Sequence, residues 1–263
     1  MNLEIICEQV CDVAKEAGEY LLQEINKIRF NDIKEKGTYD FVTYVDTSSE
    51  KFLINKLSGI LPEAGFIAEE NTVSEKDELY KWIIDPLDGT TNFVHTVPLY
   101  SISIALMKAN EVILGVIYEP NLDECFYAWK GSKAFLNQKE ISVSENQRIS
   151  NSLIATGFPY YDYDKIEQYI KLFIWFVENS PGIRRLGSAA VDLAYVACGR
   201  FDGFYEYGLS PWDVAAGALI VQQAGGKIYD FDGDSNYVFG KEIIAANNRI
   251  ISELLEVVRK YMK

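Results

Sequence analysis

Histidine is almost absent: the 263 residues contain one, His95. That excludes a His-rich zinc centre, and a Ser-His-Asp hydrolase would have to use His95 itself. Its neighbours, Phe-Val-His-Thr-Val, carry no feature of either site, so the ring is expected to pack or hydrogen-bond beside a nearby loop. Cysteine is scarce too. Cys7, Cys11, Cys125 and Cys198 form no Cys-x-x-Cys pair, which predicts buried reduced thiols in a cytoplasmic protein. Long hydrophobic runs are missing. The longest, residues 172–177, is far too short to span a bilayer, and Glu4, Glu8 and Asp12 interrupt the N-terminal apolar residues, so no secretory segment is expected. Positive charge is in deficit: 25 Lys and Arg against 39 Asp and Glu leave a net charge of −14. Such a surface repels nucleic acid and anionic membranes, and it leaves carboxylates available for cations.

What remains is ordinary globular composition, 48% hydrophobic and 24% charged, in a chain long enough for one large domain or two small ones. Apolar residues recur at helical spacing over residues 3–28. Residues 31–40 are polar and read as a loop or hairpin. A second helical pattern covers residues 46–61, with Asp46, Thr47 and Ser48 as possible caps and Pro62 as its end. Residues 65–68 and 82–85 read as buried strands that each run into carboxylates, Glu69-Glu70 and Asp85. A hairpin turned at Ala109-Asn110 and short strands at 126–129 and 134–136 follow. Near residue 150 the texture changes to alternating strand and helix, with helices at 166–177, 188–198, 214–223 and 250–262. The prediction is therefore an α/β protein: an α+β half over residues 1–150 and an α/β half over residues 151–263, joined through a large shared interface.

The segment Asp85-Pro86-Leu87-Asp88-Gly89-Thr90-Thr91-Asn92-Phe93 is the most informative. Asp85 ends a strand and Asp88 follows closely enough to share a cation with it. Gly89 permits a tight turn with exposed amides, and Thr90, Thr91 and Asn92 can cap a helix whose N-terminus binds an anion. Taken alone, the segment reads equally as an Asx-rich turn above a helix. Asp213, in Trp212-Asp213-Val214, reads alone equally as an ordinary N-cap or as a functional acid. Together with Glu69 these acids exceed what caps require. Mg²⁺ takes oxygen ligands from a few carboxylates plus substrate phosphate and water, and paired ions about 3.5–4 Å apart can clamp an in-line displacement.

Residues 85–93 resemble the first signature of the inositol monophosphatase family, a group of Mg²⁺-dependent, lithium-sensitive phosphatases. Residues 212–217 are similar to its second signature. Glu69-Glu70, Lys36, the Val42-Thr43-Tyr44-Val45-Asp46 stretch and Gly187-Ser188-Ala189-Ala190 fall where that family has its metal, loop and substrate-side elements. The resemblance implies a layered αβαβα sandwich of the sugar phosphatase type and a homodimer. It implies a first Mg²⁺ on Glu69, Asp85 and the Leu87 carbonyl, a second on Asp85, Asp88 and Asp213, and a weaker third leaning on Glu69. It further implies that Thr90, paired to Asp46, helps activate a water with Glu69 nearby. The amides of Gly89 and Thr90 would hold phosphate, and Ser188, Ala189, Glu206, Asp88 and Asp213 would line the substrate side. The implied reaction is hydrolysis of inositol 1-phosphate, a small phosphorylated polyol, by a metal-activated water.

Other readings stand beside it. Relatives with similar metal sites act on fructose 1,6-bisphosphate, histidinol phosphate or 3′-phosphoadenosine 5′-phosphate, and Leu209-Ser210-Pro211 leaves the substrate open. A non-catalytic metal-binding regulatory protein would be expected to lack some of the acids; a passive calcium binder would bind Ca²⁺ without turnover. Asp230-Phe-Asp232-Gly-Asp234-Ser-Asn236 has Ser235 and Lys241 where an EF-hand needs Gly and Glu, so a solvated turn is expected. Arg184-Arg185 could reach substrate, a neighbouring subunit or a surface ion pair. Residues 158–163 could edge a substrate pocket or a subunit contact.

Overall fold

Two-residue alternation sorts the core into separate layers. On strand β4 (Tyr80–Asp88), Ile83 faces one way and Trp82 and Ile84 the other, and the two sets belong to different apolar clusters. The structure is a computed structural model and describes residues 1–25, 27, 34–37, 40–42, 44–70, 78–160 and 162–263. Strands β3 (Gly65–Ala68), β4, β5 (Ser101–Lys108), β6 (Glu111–Glu119), β7 (Glu124–Trp129), β8 (Ala134–Leu136) and β9 (Lys139–Ile141) form one sheet in that order, antiparallel except for the parallel β3–β4 pair. A second sheet runs β11 (Gly182–Arg184), β10 (Leu153–Thr156), β12 (Gly203–Tyr207), β14 (Glu242–Ala246), β13 (Lys227–Tyr229); β10 is parallel to β11 and β12, whereas β14 is antiparallel to both of its neighbours.

Helices α1 (Leu3–Glu24) and α2 (Tyr44–Ile60) cover the outer face of the first sheet, burying Val10, Ala14, Leu21, Leu53 and Leu57 against Trp82, Ile104 and Val116. Its inner face packs on α5 (Ala189–Ala197) and α6 (Pro211–Gln223), whose other sides meet Ala155, Phe204 and Ala245 of the second sheet. Those two helices lie between two sheets, which explains why α5 is buried all round rather than along one stripe. Helices α4 (Ile166–Asn179) and α7 (Ile251–Met262) close the outer face of the second sheet through Tyr169, Leu172, Phe176, Leu254 and Val258. The result is the layered αβαβα sandwich. Among the described residues no helix is long and apolar enough to cross a membrane.

Several expectations need correction in detail. The first helix ends at Glu24, and residue 28 lies outside the described residues. The polar stretch holds a hairpin, β1 (Lys34–Gly37) against β2 (Asp40–Val42); residues 31–33, 38–39 and 43 lie outside the described set. Helix α2 begins at Tyr44, so Asp46, Thr47 and Ser48 lie inside its first turns rather than capping it. Helix α6 begins at Pro211 with Ser210 as N-cap, three residues before Asp213. Strands β9 and β11 were not anticipated. All four cysteines are free, but Cys198 is only half-buried. His95 is exposed at the end of a short helix and is not packed.

Candidate active site

Strand β4 carries its buried apolar run straight into Asp85, which is 2% exposed. The register against β5 slips between Asp85, opposite Ser103, and Asp88, opposite Ser101. This irregularity falls at Pro86, which has no N–H to give to a ladder, and it turns both carboxylates to one side. The Leu87 amide donates to Asp85 Oδ1 at 2.9 Å and fixes that carboxylate. Gly89 follows with φ +99°, a left-handed conformation in which an added Cβ would sit 3.1 Å from the Gly187 carbonyl oxygen. It is the N-cap of α3 (Thr90–Val94) and caps through its backbone. The threonines and Asn92 therefore do not cap, contrary to the sequence reading. Thr90 instead lies with its hydroxyl 3.0 Å from Asp46 Oδ1 and 3.1 Å from the Leu87 carbonyl, donating across the fold to the buried Asp46 on α2. Asn92 ties the loop down by donating to the carbonyls of Leu99 and Leu186.

The other half of the site comes from residues a hundred or more positions from Asp88. Ser188, the N-cap of α5, donates to Asp88 Oδ2 at 2.6 Å, and the Ala190 amide donates to the same oxygen at 2.8 Å. Asp213 is held by a capping box in which the Ser210 amide donates to its Oδ2 at 2.7 Å. Ser103 donates to the Trp212 carbonyl at 2.9 Å, which pins the start of α6 to the first sheet. One oxygen each of Asp85, Asp88 and Asp213 lies within 4.8 Å of the others. Glu69 at the end of β3 lines the same cavity, whereas the Glu70 amide donates to the buried Glu50 at 2.6 Å and so helps fix the turn. The cavity, about 340 Å³, also brings in Gly89, Ser188, Ala189, Glu206 and Arg185. Among the predicted site residues Asp46 stands one layer back, behind Thr90. The side chain of Lys36 lies outside the described residues.

Electrostatics single out this cluster. Burial, then Glu69, Asp88 and Asp213, drive Asp85 well above the ordinary carboxylate range; burial and then Asp88 do the same to Asp213. Burial raises Asp88 to about 6 although Ser188 and Ala190 stabilise its ionised form. Hard carboxylate oxygens forced together without a counter-charge fit a divalent cation such as Mg²⁺, which relieves that repulsion. Burial also lifts Glu206 to about 8, with Arg185 opposing. A carboxyl whose folded pKa is raised holds its proton more tightly folded than unfolded, so stability falls as pH climbs from its unfolded value toward 8. The metal-free protein should thus melt several degrees lower at pH 8 than at pH 5. Glu206→Gln should flatten that slope, and Mg²⁺ should raise the melting temperature more at pH 8 than at pH 5. A metal-free melting temperature that does not fall over this range would contradict the uncompensated acids.

One cavity residue escaped the motif reading, whereas residues 158–160 and Arg185 line the cavity as one of the sequence alternatives had it. Asp192 lies one turn beyond Ser188, 1% exposed, and its signal was a lone acid inside the apolar run of α5. Tyr160 accepts a hydrogen bond from Arg185 at 3.1 Å, so Arg185 sits at the cavity while Arg184 donates to the neighbouring Ile183 carbonyl. The Asp230 segment is a turn, as expected: its carboxylate accepts from the amides of Asp232, Asp234 and Asn236.

Known proteins resemble this chain over nearly its whole length. The profile of the inositol monophosphatase family matches residues 2–263. An inositol-1-monophosphatase of Mesorhizobium japonicum is 38% identical over 94% of this chain and 93% of its own length. The Nus factor SuhB of Pseudomonas aeruginosa is 38% identical over 95% and 94%, respectively. The crystal structure of extragenic suppressor protein suhB from Bartonella henselae superposes with a TM-score of 0.91 at 39% identity, covering 96% of this chain and 98% of that one. A match of this length, with both signature segments meeting at one cavity, makes this chain a member of the inositol monophosphatase family.

Proposed function

We propose that this protein is a Mg²⁺-dependent phosphomonoesterase that hydrolyses inositol 1-phosphate to inositol and phosphate. The observation that carries the reading is the Asp85–Asp88–Asp213 cluster, with Asp85 and Asp88 buried and Asp213 half-buried, opening on a cavity beside the Thr90–Asp46 pair. Glu69, Asp85 and the Leu87 carbonyl would hold one Mg²⁺, and Asp85, Asp88 and Asp213 a second, with Glu69 supporting a third. Bound there, the ions supply positive charge against the phosphate and acidify water, which removes the need for a histidine base.

The chain's own groups then divide the remaining work. Thr90 donates its hydroxyl proton to Asp46, which leaves its oxygen lone pairs to accept from a water near Glu69. Glu69 can take that water's proton as the water attacks phosphorus and the ester P–O bond breaks, the leaving oxygen taking a proton from solvent water. The amides of Gly89 and Thr90, at the start of α3, orient phosphate oxygens. Glu206 accepts from a hydroxyl of the leaving group, beside Ala189 and Asp88. Position and charge carry most of the rate in phosphoryl transfer, and every group in this account is held by packing or hydrogen bonds. The complete set of acids favours an enzyme over a silent binding protein. A homodimer and a cytoplasmic location complete the proposal. The first is supported by the exposed apolar stripe Ile170, Ile174 and Val177 on α4, the second by four free thiols.

Relatives carry both phosphatase and Nus factor names, so substrate choice is the point to test. Phosphate release would be measured with Mg²⁺ from inositol 1-phosphate, fructose 1,6-bisphosphate, histidinol phosphate and 3′-phosphoadenosine 5′-phosphate. Inositol 1-phosphate should turn over fastest, lithium should inhibit it, and Ca²⁺ as sole metal should support no turnover, since it is larger and less strict in geometry. Preference for another ester would replace the substrate and keep the chemistry. No turnover of any ester by Mg²⁺-loaded protein would remove the enzymatic reading.

A further inference from the structure

The cavity wall that faces a leaving group carries charge that the metal cluster does not use. Glu206 on β12 is 6% exposed and is pressed against Gly157, where any Cβ would collide with its carboxylate. Asp192 on α5 is 1% exposed, and its Oδ1 is buried with no hydrogen-bond partner. Arg185 is the one Lys or Arg side chain on this wall among the described residues, and its guanidinium donates to the Tyr160 hydroxyl at the rim. Two carboxylates therefore stand against one guanidinium. A buried carboxylate oxygen without a hydrogen-bond partner is costly, and the surrounding helix is otherwise apolar. Such a group persists through what its charge does to a ligand.

We propose that Asp192 is a specificity-determining residue that filters leaving groups by charge, so that the site selects phosphate esters of uncharged polyols over esters bearing a second anionic group. The inference rests on the phosphomonoesterase reading above. Asp192 acts from behind the cavity surface by through-space repulsion, which needs no contact with the ligand. A second phosphate on the leaving group would meet Glu206 and Asp192 in a low-dielectric pocket with only Arg185 to offset them. A hydroxyl-bearing, uncharged ring meets no such penalty and finds Glu206 as an acceptor. Arg185 moderates the filter, since its positive charge opposes the effect of burial on both acids and offsets part of the repulsion an anionic group meets there.

The test compares fructose 1-phosphate with fructose 1,6-bisphosphate at pH 8.5 and saturating Mg²⁺, following phosphate release from position 1. Wild type should favour the monophosphate in kcat/KM. Asp192→Asn should raise the bisphosphate-to-monophosphate ratio about tenfold, mainly through a lower bisphosphate KM, with the monophosphate changed less than about twofold. Arg185→Gln, at the exposed rim, should move the ratio the other way. The melting temperature of metal-free Asp192→Asn should equal or exceed that of wild type, because a buried unpartnered charge is gone. A wild-type preference for the bisphosphate, an unchanged ratio in Asp192→Asn, or equal losses on both esters would each overturn the filter. Absence of turnover of either ester by the wild type would instead defeat the phosphomonoesterase reading itself.

Discussion

Replacing Asp88 by Asn should abolish phosphate release, with a loss of about 10³-fold or more in kcat at saturating Mg²⁺, roughly 4 kcal/mol of barrier. The fold should survive. Asp88 Oδ2 accepts from Ser188 at 2.6 Å and from the Ala190 amide at 2.8 Å, and an asparagine carbonyl oxygen can take the same two bonds. That orientation turns the amide NH₂ toward Asp85 and Asp213, where a donor replaces a charged acceptor. The cluster loses one negative charge at the point where cation and substrate would meet. Metal-free protein should gain stability from the same change, because burial already disfavours the ionised Asp88 and holds it at about 6. Activity and stability thus move in opposite directions, the pattern expected of a site that stores unfavourable charge for function. Melting curves without metal, alongside turnover with it, check both halves. Near wild-type turnover in the variant would remove Asp88 from the metal set.

How far this site was legible in the sequence depended on where its partners lie along the chain. Asp85, Leu87, Asp88, Gly89 and Thr90 are consecutive or nearly so, so their spacing alone suggests a shared cation site but suits an Asx-rich turn equally, and the roles of Leu87 and Thr90 come from the family resemblance. For the layers, periodicity indicates the elements, since α4 and α7 are amphipathic and strands alternate between two cores, while their stacking as a sandwich comes from the resemblance. What the residues read by themselves did not give depended on distant partners, and the Thr90–Asp46 pairing came only from the family resemblance. Thr90 looks like a cap, yet its hydroxyl is claimed by Asp46, 44 residues earlier, and Gly89 caps through its backbone. Asp213 looks like an N-cap, yet Ser210 holds that position and Asp213 answers it from N3. Asp192 has no local motif, and only the folded cavity gives it a role. Strands β9 and β11, three residues each at the sheet edges, are too short for a periodic signal.

The largest effect on stability is expected at Gly115, in the middle of β6, far from any motif. A Cβ there would lie 2.6 Å from the Ala216 carbonyl oxygen, 3.0 Å from its Cα and 3.1 Å from its carbonyl carbon. These are backbone atoms of α6, so no side chain can swing aside to admit a methyl group. The helix has little freedom to retreat as a body. Ser103 holds the Trp212 carbonyl on the first sheet, and on the α5 side a Cβ at Gly217 would already lie 2.5 Å from Leu193 Cβ. Gly115→Val should therefore cost about 3 kcal/mol or more, and Gly115→Ala should be milder with the same sign. Gly59 on α2 is the control: nothing lies within 4 Å of its added Cβ, and Gly59→Ala should stabilise by about 0.5–1 kcal/mol. The consequence for function follows from the same contact. Asp213 stands in the first turn of α6, so any shift that accommodates a side chain at Gly115 moves that carboxylate away from Asp85 and Asp88. Calorimetry with and without Mg²⁺ separates the two effects: Gly115→Ala should lose melting temperature without the ion and also gain less from its addition. If Gly115→Ala melts like wild type and responds fully to Mg²⁺, the spacing between sheet and helix has slack, and the position of Asp213 does not depend on it.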